Sequence, residues 1–190
     1  MDARAWEQLL AMANPSLLLI AIDRRIGPAL AARVSPDDVL QETLLIAWND
    51  RARFTRGGPR AFREWLLTIA EHRIMGLADH FGAAKRGGGA GGVSLIESHD
   101  QAANTPASAT PSRIAWHRER ADALRLAFDA LDEELREIVM LRIVEQRTLD
   151  EIAAHLGLSQ SLVRRRLRRG AELLRYSLTG VLGSKTSTSS

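Results

Sequence analysis

The sequence predicts an all-α protein of two small helical domains joined by a flexible linker. Three observations lead there. Ala, Leu and Arg, all good helix formers, dominate the 190-residue chain. Apolar residues recur at helical spacing on both sides of the middle, and no stretch alternates Val, Ile or Thr with polar residues as a strand would. Between the two helical zones lie Gly87-Gly88-Gly89-Ala90-Gly91-Gly92 and then Thr105-Pro106-Ala107-Ser108-Ala109-Thr110-Pro111, the composition of a tether.

The expected boundaries are a first domain over 1–81, a linker over 82–112, a second domain over 113–179 and a disordered Ser/Thr-rich tail over 180–190. In the first domain Pro15 and Gly27-Pro28 punctuate two helical stretches. Ser35-Pro36-Asp37-Asp38 then opens a helix. Ser35 can cap, Pro36 suits the first helical position, and the two acids face the positive end of the helix dipole. This helix reaches about Asn49. After a break at Arg56-Gly57-Gly58-Pro59, a long helix runs from about Arg60 to His80, with Phe62, Trp65, Leu66, Ile69 and Arg73 at helical spacing. In the second domain one helix carries Leu124, Ala127, Phe128 and Leu131, and the next carries Leu135, Ile138, Val139 and Arg142. These spacings mark core.

Bulk chemistry narrows the function classes. The chain is 45% hydrophobic and 26% charged, ordinary for a folded globular chain and too apolar for a wholly disordered one. The formal charge is only +3, yet Lys85 and Lys185 are the only lysines, so nearly all positive charge is Arg. Arg suits bidentate contacts with phosphate and guanine, although a GC-rich genome would produce the same bias. Without cysteine, disulfides and thiolate metal sites are excluded. The five histidines, His72, His80, His99, His117 and His155, show no metal-ligand spacing, and no HExxH, Walker loop or nucleophile elbow occurs. The linker matches G-x-G-x-x-G literally, but no strand precedes it and no helix follows, so it reads as tether and not as a dinucleotide loop. No enzyme activity, metal or cofactor is expected. The apolar run Leu17 to Ile22 is too short to span a bilayer and the charged start Met1-Asp2-Ala3-Arg4 lacks a signal-peptide pattern, so a cytoplasmic protein without membrane insertion is expected.

The second domain carries a helix-turn-helix. Thr148-Leu149-Asp150-Glu151 is a capping box that starts a short helix with Ile152, Ala153 and Leu156. Gly157 supplies the left-handed corner and Ser159 caps the next helix. Small Ala153, corner Gly157 and apolar Val163 have the spacing this motif needs. On the second helix Val163, Leu167, Gly170, Ala171 and Leu174 form an apolar stripe, and Gln160, Ser161, Arg164, Arg165, Arg168 and Arg169 lie off it. A buried face opposite a basic face fits a recognition helix. Its early residues would meet base edges and its later arginines phosphates. The plainer reading is a solvated charged helix. Asp132, Glu133, Glu134, Glu137, Asp150 and Glu151 elsewhere in the domain make the arginine cluster polarised and favour DNA.

Two further segments resemble one family. Asp38-Val39-Leu40-Gln41-Glu42-Thr43-Leu44-Leu45-Ile46-Ala47-Trp48 is similar to the D-x-V/L-Q-E-x-F/L-x-x-x-W helix of extracytoplasmic-function (ECF) bacterial RNA polymerase sigma factors. Ala61-Phe62-Arg63-Glu64-Trp65-Leu66-Leu67-Thr68-Ile69-Ala70 resembles their F-x-x-W-L-x-x-I-A stretch. The first domain then corresponds to sigma region 2 and the helix-turn-helix to region 4, a resemblance over about residues 16–178. It implies that Asp38, Gln41, Glu42 and Leu45, on one helix face, dock the β′ clamp of core polymerase, with β a further contact. It implies that Phe54, Ile69 and His72 border a pocket for a flipped minus-ten base, with Arg56, Arg63 and Arg73 near the strand. Phe62, Trp65 and Trp48 read as core. His72 stands where the family commonly has Asn, and Asp132 where it often has Pro; Asp132 can cap instead.

The resemblance implies a sigma factor that directs core polymerase to promoters, reading the minus-thirty-five element through Gln160, Ser161, Arg164, Arg165, Arg168 and Arg169 and opening DNA near the minus-ten element. An anti-sigma protein is the implied regulator, because no sensing domain is evident. The alternative is a stand-alone helix-turn-helix repressor or activator, with the first domain serving dimerisation or ligand binding.

Overall fold

The computed structural model describes residues 1–55, 57–85 and 106–185, and the chain folds into two compact units, Met1–Arg118 and Glu119–Ser190. The fold is all-α. Among the described residues the helices are α1 (Ala3–Ala13), α2 (Pro15–Arg25), α3 (Pro28–Ala31), α4 (Pro36–Asn49), α5 (Pro59–Lys85), α6 (Pro111–Asp129), α7 (Glu133–Ile143), α8 (Leu149–Leu156) and α9 (Gln160–Lys185), with a 3-10 turn at Ala107–Ala109. The glycine run 87–92 lies outside the described residues. No single helix among the described residues is long and apolar enough to cross a membrane.

In the first unit α2 lies at the centre. Every residue from Pro15 to Ile22 is buried, as expected of a helix that is apolar all round. α4 and α5 pack on it and on each other, and α1 packs against α5. The predicted cap of α4 is present: the Asp37 amide donates to Ser35 Oγ at 3.2 Å. Trp6, wholly buried, meets Trp48 of α4 and Phe62 of α5 edge-on, each at 5.4 Å between ring centroids. Trp48 itself is only half-buried.

Two expectations about this unit are corrected. Residues 106–112 were expected in the linker, but they belong to the first unit. The reason is the buried Trp6 indole, whose Nε1–H needs an acceptor. It donates to Ser108 Oγ at 3.1 Å, and Pro106, Ser108 and Ala109 are buried around it. Second, Arg63 was placed at the DNA strand. It is 1% exposed and donates from Nη1 to the Ala13 carbonyl at 2.6 Å. Ala13 ends α1, where carbonyls lack helical partners, so this guanidinium ties α5 to the end of α1 and does not face solvent.

In the second unit Ile138, Leu141, Ile152 and Val163 form the core, with Leu149, Ala153, Leu156, Leu158 and Leu167 packed around them. Thr148 and Glu151 close the capping box and Gly157 takes φ 65°. Asp132 occupies the N-cap position of α7, but its side chain makes no capping hydrogen bond, contrary to expectation. The acids Glu133 and Glu134 in the first turn favour that helix start through the dipole. α9 continues to Lys185, through residues expected in the tail. No proline interrupts it, and an existing helix extends at one hydrogen bond per residue.

α7 and α9 approach closely at Gly170. A Cβ there would sit 2.5 Å from Val139 Cγ2 and 3.6 Å from Leu135 Cβ. Gly170→Ala therefore sets a helix-propensity gain of about 0.5–1 kcal/mol against an overpacking cost of about 1–3 kcal/mol. Because Val139 is fully buried and has little room to shift, the clash wins: thermal denaturation should show a net loss of about 1–2 kcal/mol. Arg63→Ala should cost about 2–3 kcal/mol in denaturant unfolding, through lost packing and an unsatisfied carbonyl. Exposed Arg60→Ala should stay within about 0.5 kcal/mol; a neutral Arg63→Ala would contradict the structural role of Arg63.

Candidate nucleic-acid and partner interfaces

The helix-turn-helix positions α9 by three local devices. The Gly157 corner turns the chain, with the Leu158 amide donating to the Ala153 carbonyl at 3.0 Å. Ser159 then caps α9, accepting from the Leu162 amide at 3.3 Å. Val163, Gly170 and Leu174 are buried and Leu167 is half-buried, so the predicted stripe faces the core. Gln160, Ser161, Arg164, Arg165, Arg168 and Arg169 are all exposed. At about 100° per residue the four arginines fall within one arc opposite the stripe.

Charge pairing separates these arginines from their neighbour. Arg166 reaches Glu134 of α7 at 2.6 Å and is partly covered. Among the described residues, Arg164, Arg165, Arg168 and Arg169 pair with no acid. Like-charged guanidiniums clustered without counterions present a strong local positive potential, which suits a polyanion. Gln160 is not free-standing: its Nε2 donates to Asp150 Oδ1 of α8 at 2.6 Å. Sequence reasoning missed Asp150 as a partner, although its position at the start of α8, across the turn from the start of α9, was the available signal.

In the first unit the loop after α4 is pinned by Phe54. Its ring stacks on Trp65 at 5.4 Å with 27° between planes, and meets Phe62 edge-on at 5.2 Å. Gly57 takes φ 130°, and a Cβ on it would sit 2.6 Å from Ala61 Cβ, so a side chain there would collide with α5. Phe54, Trp65 and Ile69 are half-buried and His72 is exposed. This leaves aromatic faces at the surface, the kind on which an unstacked base can lie. Arg56 lies outside the described residues.

Glu42 and Arg73 are brought together. The Arg73 Nε and Nη2 both reach the Glu42 carboxylate, Nη2 at 3.0 Å to Oε1, and both side chains are mostly covered. A forked pair of this kind locks both groups in orientation. It joins α4, which carries the candidate partner face, to α5, which carries the candidate strand face. Asp38 is exposed and Gln41 and Leu45 half-exposed. Ile46, 41% exposed, and Asn49, also exposed, continue the Asp38–Glu42–Leu45 face at the same helical phase. They lie at or beyond the end of the Asp38–Leu45 stripe, so the motif spacing alone does not mark them.

Among the described residues no cluster of His, Asp and Glu could hold a metal ion. Comparison with known proteins places both units. The family model described as Sigma-70 region 2 matches residues 18–78, and that described as Sigma-70, region 4 matches residues 127–176. The RNA polymerase sigma factor CarQ of Myxococcus xanthus is 35% identical over 141 residues, covering 73% of this chain and 72% of CarQ. The ECF RNA polymerase sigma factor SigL of Mycobacterium tuberculosis is 30% identical over 145 residues, 75% of this chain and 73% of SigL. SigD of the same species is 27% identical over 174 residues, 92% of this chain and 77% of SigD. With region 2 and region 4 matched in order and relatives covered along most of their length, the chain belongs to the ECF group of sigma-70 family RNA polymerase sigma factors.

Proposed function

We propose that this sigma factor binds core RNA polymerase mainly through the α4 face of Asp38, Gln41, Glu42 and Leu45, reads the minus-thirty-five element with α9 and helps open the minus-ten element with the Phe54 loop and α5. The observation that carries the reading is the set of four unpaired arginines on α9, in the same chain as a region 2 unit with half-buried aromatics. Gln160, Ser161 and Arg164, early on α9, would meet base edges; Arg165, Arg168 and Arg169 would meet phosphates or guanine. Phe54, Ile69 and His72 would border the base pocket, with Arg73 and Arg56 nearby. The docking partners would be the β′ clamp and β, and bond formation is left to the polymerase. Arg63 is not assigned to DNA, because it is buried.

The division of labour explains why neither unit is expected to act alone. One small recognition module supplies few phosphate contacts, and unstacking bases costs a few kcal/mol per step. Polymerase therefore supplies the additional contacts. The protein would work where polymerase works, in the cytoplasm, and an anti-sigma protein covering the α4 face or α9 would silence it.

Purified core enzyme and run-off transcription test this. The full chain should direct initiation at a cognate promoter chosen by selection with reconstituted holoenzyme. Arg165→Ala or Arg168→Ala should lower minus-thirty-five-dependent initiation about 5- to 100-fold, on the order of 1–3 kcal/mol, while leaving core affinity within about twofold. Loss of core binding in these variants would refute the assignment. Gel shifts with and without core separate the alternative: tight, specific duplex binding by the chain alone would favour a stand-alone regulator. Pull-down from cells should recover an inhibitory partner, and constitutive activity of the isolated protein in vivo would count against one.

A further inference from the structure

α8 and α9 are held at a fixed spacing by their own core. Ile152 of α8 and Val163 of α9 are both fully buried and belong to the same cluster. Asp150 stands two residues before Ile152 and Gln160 three residues before Val163, so each side chain starts from an anchored turn. Across the Gly157 corner the Gln160 Nε2 donates to Asp150 Oδ1 at 2.6 Å. This is the short distance of a charge-assisted bond. An ionised carboxylate only accepts, so the amide nitrogen of Gln160, not its oxygen, faces it.

Folding does not explain this bond. Both residues are exposed, and a hydrogen bond in contact with water adds little to stability. The start of α8 does not need it either. The capping box is closed by Glu151, whose carboxylate accepts from the Thr148 amide at 2.6 Å while Thr148 Oγ1 accepts from the Glu151 amide at 3.2 Å. Asp150 adds its charge to the first turn of α8, a role that asks nothing of Gln160. The same charge stands beside the start of the helix that carries Arg164, Arg165, Arg168 and Arg169. It would repel the phosphates those arginines attract. An acid that lowers affinity for every duplex alike is useful where it raises discrimination between duplexes.

We propose that Asp150 is a positioning residue that sets Gln160 to select adenine over guanine at one base pair of the minus-thirty-five element. This role rests on the proposed placing of Gln160 at a base edge. With one N–H held by Asp150, Gln160 offers Oε1 as an acceptor and its remaining N–H as a donor. That combination matches adenine, whose major-groove edge carries the N6 amino donor beside the N7 acceptor. Guanine presents two acceptors, O6 and N7, and Oε1 would face one of them with no proton between. An amide freed from Asp150 is able to turn over and offer both hydrogens to guanine. Discrimination therefore depends on the carboxylate and not on Gln160 alone. Closing DNA over the bond removes water from it, and the contact strengthens in the drier interface. Holding the side chain in one rotamer beforehand also lowers what is lost on ordering it.

Holoenzyme assembled from core polymerase and the full chain, given a promoter library randomised across the minus-thirty-five element, tests this. Gln160→Ala locates the base pair, as the position whose preference it flattens. Wild type should favour adenine over guanine there by about 5- to 100-fold, the range of one bidentate base contact. Asp150→Ala should bring that ratio to within about twofold of unity and leave the other positions within about twofold of wild type. Its initiation at guanine-bearing promoters should equal or exceed that of wild type, since a repelling charge is gone. Asp150→Asn, which donates as well as accepts, should shift the same position toward guanine. Thr148→Ala opens the capping box and is the structural control: it should lower initiation at all promoters by a common factor and leave the ratio unchanged. A ratio retained in Asp150→Ala overturns the positioning role while leaving Gln160 at the base edge, and so does a uniform loss like that of Thr148→Ala. A wild-type preference for guanine at the Gln160-dependent position overturns it as well. If Gln160→Ala alters no position, the base-edge assignment falls and the proposal with it; if wild type initiates at no promoter, both fall with the sigma reading.

Discussion

The first unit is organised around one buried side chain, Trp6. It is the meeting point of α1 with Trp48 of α4, Phe62 of α5 and Ser108 of the segment that follows the linker. A tryptophan in this position must satisfy two demands at once. Its rings must be packed on all sides, and its single N–H must find an acceptor away from water. The first demand draws α4 and α5 to one point. The second draws in a serine 102 residues away. Phe62 passes the constraint outward to Phe54, and Phe54 fixes the loop before α5. The candidate base platform thus rests on the same aromatic chain that fixes the helix proposed to dock polymerase.

A second coupling runs parallel to it. Glu42 belongs to the face assigned to polymerase and Arg73 to the helix assigned to DNA, yet the two hold each other. A partner that recruits Glu42 would release Arg73 from its fork, and the freed guanidinium would then be a cation on the helix proposed to face the strand. Such an exchange costs little if the new contacts replace the old ones and much if either charge is left buried and alone. On the proposed function, this one ion pair would link binding of core to engagement of the strand.

What the sequence shows of this depends on range. Ser35, the Thr148–Glu151 box, Gly157 and Ser159 are local signals, each acting within three or four residues, and they predict α4, α8 and α9 closely. The apolar stripe of α9 is periodic and equally legible. Long-range partners are not. Nothing near Arg63 marks it as the guanidinium that fills the end of α1, 50 residues earlier. Its spacing is that of any exposed helix cation, and the family likeness pointed to the strand. Ser108 sits in a Pro/Ala/Thr stretch whose composition argues for a tether, and only the buried indole opposite makes it an anchor. Asp132 shows the limit even at short range, since a residue type that can cap need not make the bond.

The arginines divide the molecule in a way that net charge hides. From the end of α4 through α5 the described arginines from 51 to 73 are all engaged. Arg51 lies over the Trp48 ring and donates to its carbonyl, Arg53 pairs with Asp50, and Arg60 pairs with Glu64. Arg63 holds Ala13 and Arg73 holds Glu42. The pairs of Arg53 and Arg60 are exposed, and such pairs are worth only about 0–1 kcal/mol, so a phosphate can displace them cheaply. Arg63 cannot be recruited without opening the core. On α9 the four arginines need no displacement at all. On the proposed function, duplex attraction would be concentrated in the second unit, and the first unit would gain cations for a strand only as its internal pairs exchange. Such a surface would grip DNA weakly before it is delivered and more firmly once a partner has begun to trade contacts with it, the order of events that the proposed role as a polymerase-bound subunit requires.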